Sequence, residues 1–239
     1  MLNKNRIWEL DALRGIFVLL MIAVHLVYNL VELYRLVSWD MPRWVTSLQS
    51  WGGQVFVMIS GICVTLGSRP IKRGITVLGA AMLVTATTVG MFALDLADRG
   101  IIIYFGVLHC LGCCMLLWPL FRKSHWLLLG VVGTAMVVLG LWMDTLSPID
   151  SYLLMPWGLP WKGFITSDYF PLFPNLGFFL LGAALGRTLY RSKQSLMPGL
   201  NKKNPLLVFL TLCGKHSLPI YLIHQPLLSG FCMLYSLLK

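Results

Sequence analysis

Residues 8–31 read WELDALRGIFVLLMIAVHLVYNLV and determine the class of fold. The run is long enough to cross a bilayer as one helix, because about 20 apolar residues suffice. Its entry carries Asp11 and Arg14, and His25 lies well inside it. Ionisable groups are costly inside a membrane and usually mark a functional site there. The stretch therefore predicts a membrane helix that forms part of a site.

The whole chain has the composition of a polytopic membrane protein. Of its 239 residues, 57% are hydrophobic and only 12% are charged, which is far from the average of soluble domains. Membrane topology explains the net charge of +10 better than nucleic acid does, and no nucleic-acid partner is expected. No internal repeat and no linker rich in Pro, Gly and Ser divides the sequence. We therefore expect one domain over residues 1–239.

Hydropathy predicts an all-α bundle of about seven membrane-spanning helices. A further apolar stretch, 205–213, is too short to span and is predicted to be re-entrant or interfacial. The segment 144–169 is rich in Trp and Pro and is predicted to be a structured interfacial loop. The seven spans are predicted at 10–33, 47–66, 74–94, 101–121, 126–143, 170–189 and 217–238.

The basic residues predict the orientation of these spans. With a cytoplasmic N-terminus, thirteen Lys and Arg residues fall inside and five fall outside, as the positive-inside rule requires. The sequence thus predicts a multi-pass protein of the cell (inner) membrane. The inner residues are Lys4, Arg6, Arg69, Lys72, Arg73, Arg122, Lys123, Arg187, Arg191, Lys193, Lys202, Lys203 and Lys215. The outer residues are Arg35, Arg43, Arg99, Lys162 and Lys239.

Four polar side chains on four predicted spans fall at similar depth. At about 1.5 Å of rise per residue, His25, Gln54 and His109 each lie roughly 10 Å below the outer face, and Asn175 lies slightly shallower. Such groups are costly toward lipid, so we predict a polar cavity open to the outer side. The alternative is that they form hydrogen bonds between helices and only hold the bundle together.

Arg14 belongs to the other end of the first span. It lies about three helical turns before His25, so both side chains point the same way along about 16 Å of helix. Asp11 is three residues earlier and pairs with Arg14 on one face. We predict that Arg14 binds an anion and that Arg69 and Arg73 add phosphate contacts. The alternatives are a snorkelling side chain for Arg14 and ordinary positive-inside charge for the other two.

The last span holds another polar cluster. His224, with Tyr221 before it and Gln225 after it, is predicted about 10 Å from the cytoplasmic side. Pro219 and Pro226 loosen the backbone, so carbonyl groups are available to line a cavity. These three polar residues are predicted to contact substrate.

The six cysteines all lie in apolar runs, which does not fit the disulfide framework of a secreted protein. Cys110, Cys113 and Cys114 suggest a metal site by their spacing. We favour packing of small, adaptable side chains and expect no metal.

The opening stretch, ELDALRGIFVLLM at 9–21, resembles the start of the heparan-alpha-glucosaminide N-acetyltransferase catalytic-domain family. It is also similar to the related acyltransferase type 3 membrane enzymes. Three more stretches fit, QVFVMISG at 54–61, GVLHCLG at 106–112 and SLPIYLIH at 217–224. The resemblance implies transfer of an acyl group, usually acetyl from acetyl-CoA as donor substrate, across the bilayer to a sugar or glycan on the outer side.

The resemblance also implies roles for individual residues. Arg14 and His25 match a pair that the type 3 enzymes require. The lysosomal member has Asn at the position of His25 and a His in the following luminal loop, but residues 31–46 contain no His here. The acid/base residue is then His25 or His109. In the first case His25 either removes the acceptor proton or carries the acyl group covalently. Gln54 or His109 is predicted to donate to the oxyanion.

Two other functions compete with a transferase. The polar track also fits a transporter or binding protein for a small solute or protons, without chemistry. Two histidines at one depth, such as His25 and His109, also fit a b-type haem. The chain is shorter than the enzymes it resembles. Three alternatives are therefore open: the protein works as a homo-oligomer, needs a partner or lacks activity.

Overall fold

The computed structural model describes residues 7–198 and 204–238, and the regular elements in those ranges are helical. Five basic residues used above to predict topology, Lys4, Arg6, Lys202, Lys203 and Lys239, lie outside the described residues. The α-helices are α1 (Trp8–Tyr28), α2 (Arg43–Leu66), α3 (Pro70–Ala93), α4 (Val107–Phe121), α5 (Trp126–Met143), α6 (Leu172–Leu189), α7 (Pro205–Lys215) and α8 (Ser217–Leu238). A π-helical turn, Asn29–Leu33, continues α1.

Five of the described helices are long and apolar enough to cross a membrane, namely α1 with its π-helical turn, α3, α5, α6 and α8. Helices α4 and α7 are apolar but shorter. The prediction of an all-helical membrane protein is therefore confirmed. Seven as the number of spans, and the cytoplasmic N-terminus, stay predictions.

Two predicted spans, 126–143 and 217–238, coincide with α5 and α8. The predicted start of the fourth span, 101–121, was wrong. Helix α4 begins at Val107, six residues after the predicted Ile101. The intervening chain is held extended, because the Phe170 N–H donates to the Phe105 carbonyl at 2.9 Å. The Asp168 carboxylate then accepts from the Val107 N–H at 3.0 Å and caps the helix. This cap comes from 61 positions away in sequence.

The chain divides into two compact units. The first contains the chain up to Phe56 and from Ser192 onward, and the second contains Val57–Arg191. Helix α2 runs through the boundary. The prediction of one domain stays a prediction.

In the first unit α7 packs tightly and antiparallel along the first half of α1. Gly15 lies against Leu210 and Gly214, while Gly214 lies against the Asp11 carbonyl. A Cβ at either glycine would overlap backbone atoms of the facing helix. Small residues at such positions allow membrane helices to approach closely.

The second unit contains antiparallel helix pairs with the same kind of contact. Gly133 of α5 and Gly177 of α6 lie against each other, and Gly74 of α3 lies against the Gly112 carbonyl of α4. The Ala, Thr and Gly content of α3 predicted such close packing.

The segment 144–169 is ordered around its aromatic side chains. The Trp161 ring contacts the rings of Tyr104, Tyr152 and Phe164 at centroid distances of 4.6–5.4 Å. The Tyr169 hydroxyl donates to the Met155 carbonyl at 2.7 Å. This agrees with the prediction of a structured loop.

Candidate functional site

Three polar pairs join α1, together with the π-helical turn that continues it, to α8 within the first unit. Nη2 of Arg14 donates to Oγ of Ser217 at 3.2 Å. The rings of His25 and His224 meet edge-on, with centroids 4.9 Å apart. The third pair is Asn29 with Gln225, whose Nε2 donates to Asn29 Oδ1 at 3.1 Å. Residue numbers rise together along both helices, so the helices run parallel and share one polar seam.

The two histidines of this polar seam have the same hydrogen-bond arrangement. Nδ1 of His25 lies 2.8 Å from the Met21 carbonyl, and Nδ1 of His224 lies 2.5 Å from the Tyr221 carbonyl. A carbonyl only accepts, so Nδ1 carries the hydrogen in each ring. In a neutral imidazole Nε2 then holds the free lone pair. The pair thus presents two nitrogens able to take up a proton.

Nε2 of His224 is buried and has no hydrogen-bond partner among the described residues. His25 is half-buried, and its ring faces His224. Because the two rings are in contact, no space for a haem plane separates them. The ring of Tyr221 lies 5.4 Å from that of His224, so Tyr221 contributes both its carbonyl and its ring to this region.

Asn29 and Gln225 form an incomplete amide pair. Asn29 is fully buried and opens the π-helical turn, a feature frequent at functional sites. Its Nδ2, together with Oε1 of Gln225, is buried without a partner among the described residues. One donor and one acceptor are therefore unsatisfied within one pair of side chains.

Arg14 lies at the other end of the polar seam. Its Nε is also buried without a partner in the described part of the chain. Asp11, three residues earlier, is buried at 6% exposure. Gln54 of α2 belongs to the same unit, and its Oε1 is buried and unpartnered among the described residues.

The contact of His25 with His224 corrects the depths inferred from sequence. Residue counting placed His224 near the cytoplasmic side and His25 near the outer side, whereas ring contact requires one level. The count assumed that both helices begin at one level. The first residue of α8, Ser217, instead contacts Arg14, which lies inside α1 and not at its start.

His109, in the second unit, is buried and held on both sides of its ring. Nδ1 accepts from the Gly106 N–H at 3.2 Å. Nε2 lies 3.2 Å from Oγ1 of Thr85, which itself donates to the Ile103 carbonyl. Thr85 thus accepts from Nε2–H, and both ring nitrogens are engaged. His109 is the third residue of α4, so it lies near a helix start and not seven residues inside a span.

The other predicted residues of the second unit are placed separately. Asn175 is buried at 2% exposure, and its Nδ2 donates to the Pro171 carbonyl at 2.8 Å. Its Oδ1 is buried without a partner in the described chain. Arg69 and Arg73, at the start of α3, are exposed. Cys110 and Cys114 are fully buried, with sulfurs 3.9 Å apart.

Sequence reasoning missed three residues with polar contacts to these groups, Asn29, Ser217 and Thr85. Asn29 had a usable signal, because it follows His25 by four residues and so shares its helix face. Ser217 and Thr85 had none, since their partners are distant in sequence.

A comparison with family models adds independent evidence. Residues 6–226 match the model described as heparan-alpha-glucosaminide N-acetyltransferase, catalytic. Searches of curated proteins and of solved structures found no significant match. The match covers nearly the whole chain, including all three polar pairs of the seam. The chain therefore belongs to the heparan-alpha-glucosaminide N-acetyltransferase catalytic family, a membrane family whose name implies transferase activity.

Proposed function

We propose that the protein transfers an acetyl group from cytoplasmic acetyl-CoA to an amine or hydroxyl of a sugar or glycan on the outer side of the cell membrane. Family membership supports acetyl transfer. The observation that carries the proposal is the His25–His224 pair, because two imidazole rings, each able to act as an acid or base, are in contact inside two candidate spans.

The proposed step is a direct transfer. His25 Nε2 takes a proton from the acceptor as its N or O attacks the thioester carbonyl carbon. The new bond forms, the C–S bond breaks, and the proton passes to the CoA thiolate. His224 supports the imidazolium of His25 through ring contact or exchanges the proton with it.

Arg14 is assigned to the donor. A guanidinium with a buried, unpartnered Nε suits a phosphate oxygen, which accepts strong charge-assisted hydrogen bonds. Asp11 orients Arg14 in this proposal. Phosphate contacts from Arg69 and Arg73, which belong to the second unit, stay a prediction. The 16 Å or so of helix between Arg14 and His25 is the path of the pantetheine arm.

The remaining predicted residues receive different weights. Gln54 and Asn175 keep unpartnered oxygens that suit donors of a substrate. His109 was predicted as an acid/base or oxyanion donor, but its engaged nitrogens favour a role in holding α4. Tyr221 and Gln225 act beside His224.

A transporter for protons or a small solute is the second candidate. It is favoured by the polar seam itself, since unpartnered polar atoms along two spanning helices also suit a water-filled path. Proton uptake by vesicles containing the protein, without loss of thioester, would support it over the transferase.

The test uses purified protein in nanodiscs with acetyl-labelled acetyl-CoA and a glucosamine-terminated oligosaccharide. Wild type should release CoA and label the oligosaccharide, while His25→Asn should be slower by about 10²–10⁴. His216→Asn, at an exposed histidine in the same unit, is the matched control and should keep activity. Failure of wild type to consume acetyl-CoA with several acceptors would contradict the proposal.

A further inference from the structure

The incomplete amide pair on the polar seam has an orientation that selects one chemistry. Gln225 Nε2 donates a hydrogen bond to Oδ1 of Asn29. The atom of the Asn29 amide without a partner among the described residues is therefore Nδ2, a donor. Asn29 itself is 0% exposed. A buried donor without an acceptor is costly, more so at membrane depth. The free Nδ2–H therefore suits an oxygen acceptor of a ligand at a defined place.

That place lies beside the proposed base. Asn29 follows His25 by four residues on α1, and Gln225 follows His224 directly on α8. Residues four apart share a helix face. The donor and the His25–His224 pair thus flank the same part of the polar seam, with the donor one turn further along α1.

We infer that Asn29 Nδ2–H binds the carbonyl oxygen of the transferred acetyl group and stabilises the oxyanion that forms on it. This rests on the proposed acetyl transfer. As the acceptor attacks the carbonyl carbon, the C=O electron pair moves to oxygen, where Asn29 donates. The pair returns as the C–S bond breaks and the thiolate takes the acceptor proton through His25. Asn29 replaces Gln54 and His109 in this role.

Gln225 both positions Asn29 and contacts the acceptor in this scheme. Its Nε2–H bond to Oδ1 holds the Asn29 amide with Nδ2 free to donate. Its own free Oε1 accepts an N–H or O–H of the acceptor, on the opposite side of the reacting carbon.

Two variants test Asn29 without relying on one substitution. Asn29→Asp keeps the oxygen that accepts from Gln225 and removes the donor. Asn29→Leu removes the donor without adding charge. Each should lower kcat by about 10²–10³, the loss typical of one oxyanion donor, with the KM for acetyl-CoA unchanged within about twofold. Gln225→Glu should lower kcat less, again without a change in KM.

Asn204→Asp is the matched control. Asn204 caps α7 at an exposed position through its Oδ1, a role that Asp fills equally well. It should change neither kcat nor KM. Thermal unfolding, measured for every variant in one detergent, shows whether the variant is folded.

The outcomes separate this inference from the proposed function. If wild type does not transfer acetyl, the proposed function fails. If wild type is active and both Asn29 variants keep kcat, only the inference fails. A parallel loss of kcat, acetyl-CoA binding and thermal stability would assign Asn29 to structure and overturn the inference.

Discussion

Arg14 donates a hydrogen bond to Ser217, a residue 203 positions later in the chain. This contact fixes where α8 begins along α1. Seven residues after Ser217 and eleven after Arg14, the two helices bring His224 and His25 together.

Replacement of His224 should affect the same step as replacement of His25. We expect His224→Asn to lower kcat by about tenfold, less than the roughly 10²–10⁴ of a general acid or base, because His224 acts through His25. The double variant should be little worse than His25→Asn, because residues that act as a unit are not additive. Initial rates of acetyl transfer measure this. Fully multiplicative losses would indicate two independent roles.

Arg14→Gln should weaken use of the donor in a way that depends on the phosphates of CoA. We expect the KM for acetyl-CoA to rise about tenfold or more, because a charged hydrogen bond is lost. S-acetylpantetheine lacks those phosphates and should be a poorer donor than acetyl-CoA. Its rate of turnover should be the same in wild type and in Arg14→Gln. An equal loss for both donors would place Arg14 in the structure and not in phosphate binding.

Thr85→Val tests whether His109 is structural. The change leaves the His109 Nε2–H and the Ile103 carbonyl without their partner, which should destabilise the protein by about 1–3 kcal/mol. Turnover per folded molecule should stay unchanged. Thr87→Val is the control, since the exposed Thr87 donates to the Leu83 carbonyl within its own helix. A fall in kcat with intact stability would instead support the predicted catalytic role of His109.

Gly214→Ala should loosen the contact between α1 and α7. The added Cβ overlaps the Asp11 carbonyl, and overpacking of this kind costs about 1–3 kcal/mol. Gly230→Ala in α8 is the matched control, because a Cβ there meets open space. It should be neutral or stabilise by up to about 1 kcal/mol through helix propensity. Thermal midpoints in one detergent compare the two. Equal midpoints would contradict the close contact.

Asp144→Asn should stabilise the protein above acidic pH. Burial raises the pKa of Asp144, and the residue is the C-cap of α5, where the helix dipole disfavours negative charge. Burial raises the pKa of Tyr169, and the negative charge of Asp144 raises it further. A raised carboxyl pKa means that ionisation favours the unfolded chain, so the penalty appears as pH rises through the unfolded and then the folded pKa.

Thermal midpoints across pH measure this effect. The advantage of Asp144→Asn should be absent below the unfolded pKa and complete above the folded one. Asp40→Asn is the control, because Asp40 is exposed, as Asp144 is, but lies outside the helices and caps none of them. A constant difference at every pH would show that the carboxylate is not responsible.

The sequence predicted the helices well where a single segment determines them. Hydropathy alone gave the bounds of α5 and α8. It failed at the start of α4, where Asp168 supplies a cap from a distant loop. Arg14 and His25 were found because charges in a membrane segment are conspicuous. Their partners were not, since the level of His224 depends on where α8 starts beside α1.

The antiparallel packing of α7 on α1 has a consequence for biosynthesis. Helix α1 is synthesised before α7 and α8, which cover its small-residue face and its polar groups. Until α8 is made, Arg14, His25 and Asn29 lack the partners that they have in the folded unit. The first unit therefore cannot be completed before α8 has been synthesised and has packed against α1.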